Sequence, residues 1–209
     1  MPTPFIYLAS ASPRRHALLE QIGVPHEVLH IPAPAGEDEP QWAAERPEAY
    51  VLRTAIEKAQ RAAVWLQTPS SDRPKLRIAP ILCADTTVIL EDKVLGKPAD
   101  LDEARDTLIR LSGREHTVHT AIALACGNQI IQDVSITLVR FKRLSLTEIA
   151  EYCATGEPLG KAGSYAIQGR AGAFVTHLSG SYTGVMGLPV YETARLIEQG
   201  ISLNTSTTP

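Results

Sequence analysis

The chain has 209 residues, 44% of them hydrophobic and 21% charged, enough for a real core in one large domain or two small ones; one compact α/β unit is the simpler expectation. Twenty Lys and Arg against 23 Asp and Glu leave a net charge of −3 with no basic block, which argues against a nucleic-acid partner and confines any phosphate binding to a local site. Cys83, Cys126 and Cys153 stand in neither CxxC nor metal-ligand spacing, and there is neither a secretory leader pattern nor an apolar run of membrane-spanning length, so a soluble, cytoplasmic protein with no membrane partner is expected.

Phe5–Ala9 reads as a strand. Ser10-Ala11-Ser12-Pro13 then supplies a small-residue turn, an N-cap serine and a proline at the first helical position, and Gly23 supplies the stop of the helix that follows. Arg14 and Arg15 fall in its first turn, where the helix dipole favours anions by about 0.3–1 kcal/mol per charge. Two cations there belong either to a solvated basic turn or to a bound phosphate, which helix-start N–H groups and two guanidinium forks suit.

Residues 30–46, rich in Pro, Ala and acids around Glu37-Asp38-Glu39, read as a loop. Pro47 opens a helix to about Leu66, whose face Val51, Ala55, Lys58, Ala62 places Lys58 on the small apolar side. A lysine there either snorkels to water or meets an acid. After a polar loop over residues 67–77 comes Ile81–Leu90, a buried strand with one carboxylate, Asp85, in its middle. An ionised carboxylate out of water needs cations, a metal or backbone donors; the alternative is a strand that breaks into a turn at Asp85. Glu91-Asp92-Lys93 turns the chain, and residues 94–98 return as a hairpin arm in which Pro98 holds Lys97 extended, as a phosphate clamp or an ordinary surface lysine.

Residues 100–111 form an amphipathic helix ended by Gly113. Residues 117–126 and 130–141 flank Gly127-Asn128 as two antiparallel strands. On one strand His116 and His119 face opposite ways, which opposes a metal pair. Ser145 and Glu148 form a capping box for a helix ending before Gly156. The glycine-rich segment 157–172 is a loop, flexible or shaped to approach a ligand, with the Gln168 amide as one donor and acceptor. A strand over 173–178, a turn over 180–184 and a helix from Leu188-Pro189 to Gln199 follow. One domain over residues 1–201 and a disordered tail over 202–209 are expected.

Ser10-Ala11-Ser12-Pro13-Arg14-Arg15, Glu57-Lys58-Ala59, Ala84-Asp85-Thr86, Leu95-Gly96-Lys97-Pro98, Leu111-Ser112-Gly113, the run Lys161–Gly169 and Gly187-Leu188-Pro189 together resemble, in order, the Maf family of nucleoside triphosphate pyrophosphatases. Ala-Asp-Thr with Ile-Gln-Gly resembles the subgroup acting on dTTP and UTP rather than that associated with 7-methyl-GTP. The resemblance implies an elongated mixed α/β fold with helices flanking the sheet and a deep cleft, related to the inosine-triphosphate pyrophosphatases and often homodimeric. It also implies hydrolysis of a triphosphate to monophosphate and pyrophosphate with a divalent cation, Mg or Mn. By matching motif, Asp85 is the proton acceptor and a metal ligand, Arg14, Arg15, Lys58 and Lys97 surround the phosphates, Ser10 lies with the substrate-binding turn, and Thr86 and Gln168, with Arg14, are tied to substrate choice. Glu39, nineteen residues before Lys58, is the candidate second metal carboxylate, with Glu37 or Asp38 as substitutes. Gly160 stands where relatives often carry an acid.

The chemistry agrees with the residues. A triphosphate carries about four negative charges and a Mg²⁺ offsets two, so four clustered cations suffice even beside Asp85. Phosphoryl transfer asks for positioning and charge neutralisation, and a general base adds roughly 10²–10⁴-fold. The Gln168 amide suits the O4 and N3–H edge of uracil or thymine, but it can rotate to suit cytosine. Housecleaning hydrolysis of modified nucleotides, or septum-formation control by binding without turnover, are the rival readings.

Overall fold

The computed structural model describes residues 5–32, 40–68 and 76–205. One mixed sheet of seven strands runs in the order β2-β1-β3-β5-β6-β7, with β4 also on β3. These are β1 (Ile6–Leu8), β2 (His26–Val28), β3 (Ile81–Leu90), β4 (Lys93–Leu95), β5 (Glu115–Cys126), β6 (Gln129–Phe141) and β7 (Val175–Ser179). The helices are α1 (Pro13–Gln21), α2 (Pro47–Gln67), α3 (Leu101–Leu111), α4 (Leu146–Cys153), α5 (Tyr182–Met186) and α6 (Val190–Thr205). β1 pairs in parallel with β2 and β3, whereas β3, β5, β6 and β7 form antiparallel neighbours.

Period-two alternation decides which helix covers which face. In β5, Ala121, Ala123 and Ala125 join Cys83 of β3 under the small-residue face of α2, Val51, Ala55, Ala59 and Ala62. Alanine against alanine lets helix and sheet approach closely. The intervening Ile122, Leu124 and Cys126 face the other way and pack with Leu82, Ala84, Leu18 and Leu19 of α1, and Leu196 and Ile197 of α6. A third core, around Leu108, Phe141, Ile149, Tyr165 and Phe174, ties α3 and α4 to the far end of the sheet. The Ser145–Glu148 capping box forms as expected, and Lys142 holds the Glu148 carboxyl down at about 2. The three cysteines are buried free thiols.

β3 does not break at Asp85: it pairs with β5 from Ile81 to Ile89 without a register shift. Its other edge is shared. β1 takes Ile81 and Leu82, and β4 takes Val88 to Leu90 after a two-residue turn with Glu91 and Asp92 both at positive φ. Between those partners, residues 83–87 form an opening in the sheet. Ala9 donates to the carbonyl of Leu82, so by alternation the N–H and C=O of Ala84 and Thr86 point into that opening.

Three elements depart from expectation. His26–Val28 is a strand, too short and too exposed at the sheet edge to show alternation. The segment expected as a turn at 180–184 leads into α5 (Tyr182–Met186), capped by Ser181, whose side chain accepts from the Gly184 N–H. The last helix runs to Thr205 rather than ending at Gln199, and residues 206–209 lie outside the described residues.

Candidate active site

The opening in the sheet leads into a cavity of about 550 Å³. α1 begins at its rim, with Pro13 at the first helical position; Ser12 occupies the N-cap but makes no side-chain cap, and the Ser10 hydroxyl accepts from the Ser12 N–H at 3.2 Å instead. Asp85 projects from β3 toward α2, and Lys58 reaches it from the alanine face of that helix, Nζ to Oδ1 at 2.7 Å. The two side chains are 15% and 21% exposed, so the pair is mostly sheltered from water. Burial pushes the Asp85 carboxyl up, but the charge and hydrogen bond of Lys58, the charge of Arg15 and the Thr54 hydroxyl outweigh it and leave the group below the ordinary carboxylate value. The buried-charge anomaly in β3 and the lysine anomaly in α2 therefore resolve each other.

On the other face of β3, Thr86 meets Arg15. The guanidinium donates from Nε to the Gly187 carbonyl at 2.8 Å, from Nη1 to Ser10 Oγ at 3.2 Å and from Nη2 to Thr86 Oγ1 at 3.4 Å. Arg14 donates from Nε to the Met186 carbonyl at 3.3 Å, and burial lowers its pKa. Carbonyls at the C-terminal end of α5 thus receive both arginines, where helices leave acceptors unsatisfied.

Ser10, Arg14, Arg15, Lys58, Asp85, Thr86, Lys97 and Gln168 all line this one cavity. Lys97 and Gln168 are exposed at its edge and make no hydrogen bond among the described residues. Glu39, with its neighbours Glu37 and Asp38, lies outside the described residues, and Glu57 turns instead to Arg53, at 3.0 Å. Gly160 lines the cavity at φ +71° and brings no carboxylate.

Two cations in the lining were not singled out from the sequence. Arg61 follows Lys58 by three residues and so shares its helix face, a spacing that could have revealed it. Lys161 opens the Lys-Ala-Gly run; burial and the charge of Arg14 lower its pKa. The backbone there is shaped by Gly163, at φ +66°, where a Cβ would come within 2.8 Å of the Val88 methyls. Nearby, Tyr152 donates to Glu157 Oε1 at 2.9 Å and accepts from the Ala166 N–H at 3.2 Å, while Glu157 Oε2 accepts from the Arg170 N–H at 3.2 Å, which brackets the turn carrying Gln168. His116 and His119 stay apart from the cavity's cations: His116 is buried against Tyr165, Nε2 to hydroxyl at 2.9 Å, and burial pulls it down to about 4.

Six cationic side chains therefore face one carboxylate, Asp85, among the described lining residues. The family model for Maf-like protein matches residues 5–200. The chain belongs to the Maf-like family. It is 58% identical over 194 residues to a dTTP/UTP pyrophosphatase of Bordetella pertussis, covering 93% of this chain and 91% of the relative. A protein of the same name from Bordetella avium is 53% identical over 201 residues, with 96% and 98% covered, and one from Nitrosomonas europaea is 46% identical over 203 residues, with 95% and 96% covered. The Maf-like match spans all the elements that carry the cavity, from the β1–α1 turn to the start of α6.

Proposed function

We propose that this Maf-like protein hydrolyses dTTP and UTP to the nucleoside monophosphate and pyrophosphate. The observation that carries the reading is the convergence of Arg14, Arg15, Lys58, Arg61, Lys97 and Lys161 on Asp85, the one carboxylate among the described lining residues, a concentration of cations that a triphosphate with its metal suits. The names of relatives up to 58% identical give it the pyrimidine.

In this reading the cations fix the polyphosphate and Asp85 accepts the proton of a water that attacks the α-phosphorus. A new P–O bond forms as the bond to the bridging oxygen breaks, and that oxygen leaves with pyrophosphate. A carboxyl held low by Lys58 is a weak base in the free protein. An arriving triphosphate competes for Lys58 and adds negative charge beside Asp85, both of which raise its proton affinity. Gln168, exposed at the cavity edge, supplies the amide for the base.

Among the described residues no three His, Cys, Asp or Glu side chains gather, and Asp85 is the one carboxylate in the cavity. One carboxylate plus substrate phosphates is a donor set that Mg²⁺ or Mn²⁺ accepts, so the site fits such an ion, with Asp85 as ligand and Glu39 proposed as the second. The ion would supply charge neutralisation on the phosphates. Among the described residues no helix is long and apolar enough to cross a membrane. Cytoplasmic residence, expected from the scattered cysteines and the sequence pattern, and a homodimer, implied by the family resemblance, belong to the same reading.

The test is pyrophosphate release from a panel of triphosphates, with and without divalent cation. Preference for dTTP and UTP with metal dependence is expected. Preference for modified nucleotides would transfer the activity to housecleaning, and tight binding with no release would make the protein a regulator.

A further inference from the structure

No motif marks Thr120, a fully buried residue in the middle of β5. Its hydroxyl donates to the Gly184 carbonyl of α5 at 2.8 Å and lies 3.0 Å from the hydroxyl of Thr86, its cross-strand partner on β3. A hydroxyl has one proton and a carbonyl can only accept, so the proton of Thr120 goes to Gly184 and Thr86 must be the donor in the Thr86–Thr120 contact. Thr86 then meets Arg15 Nη2 as an acceptor. The polarity of the chain from Arg15 through Thr86 and Thr120 to Gly184 runs in one direction only.

The chain also closes on itself. The Gly184 carbonyl that receives Thr120 also accepts from the Gly187 N–H at 2.9 Å, and the Gly187 carbonyl accepts from Arg15 Nε at 2.8 Å. Gly187 sits at φ +114°, so the tight exit from α5 that aims this carbonyl at Arg15 suits glycine. A second hydroxyl, Thr137 on β6, fastens the start of α5 by accepting from the Ser181 N–H at 2.9 Å. The ring thus joins α1, β3, β5 and the end of α5, and Thr120 is its one fully buried side chain.

We infer that Thr120 is a positioning residue for Arg15: it fixes the donor order of a closed hydrogen-bond ring and so holds the guanidinium in the orientation that receives the polyphosphate. The inference rests on the triphosphate reading of the cavity, and it goes beyond it by assigning a role to a residue that cannot reach the substrate.

The test uses Thr120→Val, which keeps the shape and removes the hydroxyl. KM for UTP is expected to rise about 10-fold while kcat stays within about 3-fold, and Thr120→Ser is expected to return KM to within about 2-fold of the unsubstituted protein. Combined with Arg15→Lys, Thr120→Val should raise KM no more than about 2-fold beyond the single Arg15→Lys change, because both break one ring. A KM unmoved by Thr120→Val, failure of serine to rescue, or full additivity with Arg15→Lys would overturn the assignment. If Thr120→Val does not fold, Thr120→Ala, which also removes the hydroxyl, is read by the same criteria. Affinity for inorganic tripolyphosphate, measured calorimetrically on the same variants, separates the two proposals. If UTP is not hydrolysed the functional reading fails, while the ring is still judged by a 10-fold loss of tripolyphosphate affinity or its absence.

Discussion

Asp85→Asn isolates the chemistry from the binding, because amide and carboxyl are nearly isosteric and Lys58 keeps an acceptor at the same place. Loss of the proton acceptor should lower kcat by roughly 10²–10⁴-fold, about 2.7–5.5 kcal/mol of transition-state stabilisation. Affinity for an uncleaved analogue should move the other way. Six cations would face no carboxylate among the described lining residues, so α,β-imido-UTP without metal should bind at least as tightly as to the unsubstituted protein. Stability falls for a separate reason: the Lys58 ammonium, 21% exposed, loses the charge of Asp85, its partner at 2.7 Å, beside Arg15 and Arg61. Losing one charge-assisted hydrogen bond of this kind costs about 1–3 kcal/mol, which at this chain length lowers Tm by roughly 2–12 °C. Pyrophosphate release gives the rate, isothermal titration the affinity and circular dichroism the Tm. Near-unchanged turnover would refute the assignment of Asp85 as base, and affinity lost in parallel with turnover would show that it acts in binding instead.

Arg14→Ala should act chiefly on binding: with a charge-assisted contact worth about 1.5–3 kcal/mol removed, KM for UTP should rise about 10–100-fold with a smaller change in kcat, as steady-state kinetics will show. The depressed Asp85 carboxyl has a defined sign in pH: its contribution to stability is fully present above the ordinary value of 3.8 and disappears as pH falls through the lower folded value. Tm of the unsubstituted protein should therefore decline more steeply below about pH 4 than that of Asp85→Asn, by thermal melts from pH 2.5 to 6. Gly163→Ala places a methyl group 2.8 Å from Val88 at a positive φ; overpacking and strain together cost about 2–4 kcal/mol, seen as a Tm lower by roughly 5–15 °C.

Asp85 and Lys58 were legible in the sequence because each broke a local rule: a charge amid a buried strand, and a cation on a helix face otherwise made of Val and Ala. Their pairing across 27 residues follows once both are required to find partners inside one fold. Arg14 and Arg15 stood out by the same logic, against the sign of a helix start. Thr120 broke no rule, since a threonine suits a strand, and its value comes from facing Thr86 across β3 and β5, a register set by the pairing of two strands that β4 and α3 separate in the chain. The Met186 and Gly187 carbonyls were equally silent, for backbone acceptors carry no residue signature. α5 is hidden in the sequence because Gly180 and Gly184, the second of them inside the helix, give the pattern of a turn, and only Ser181 marks a helix start.

The gap between β1 and β4 along β3 has a consequence for the protein's colloidal behaviour. A bare strand margin elsewhere is an invitation to another chain, and proteins that keep one risk growing into fibres. Here, among the described residues, the bare part amounts to residues 83–87, stoppered at each end by a partner strand, and a peptide seeking to dock there would have to run its backbone past Lys58 and Arg15. The charges that fit this margin for a small polyanion also act as its gatekeepers against polymer.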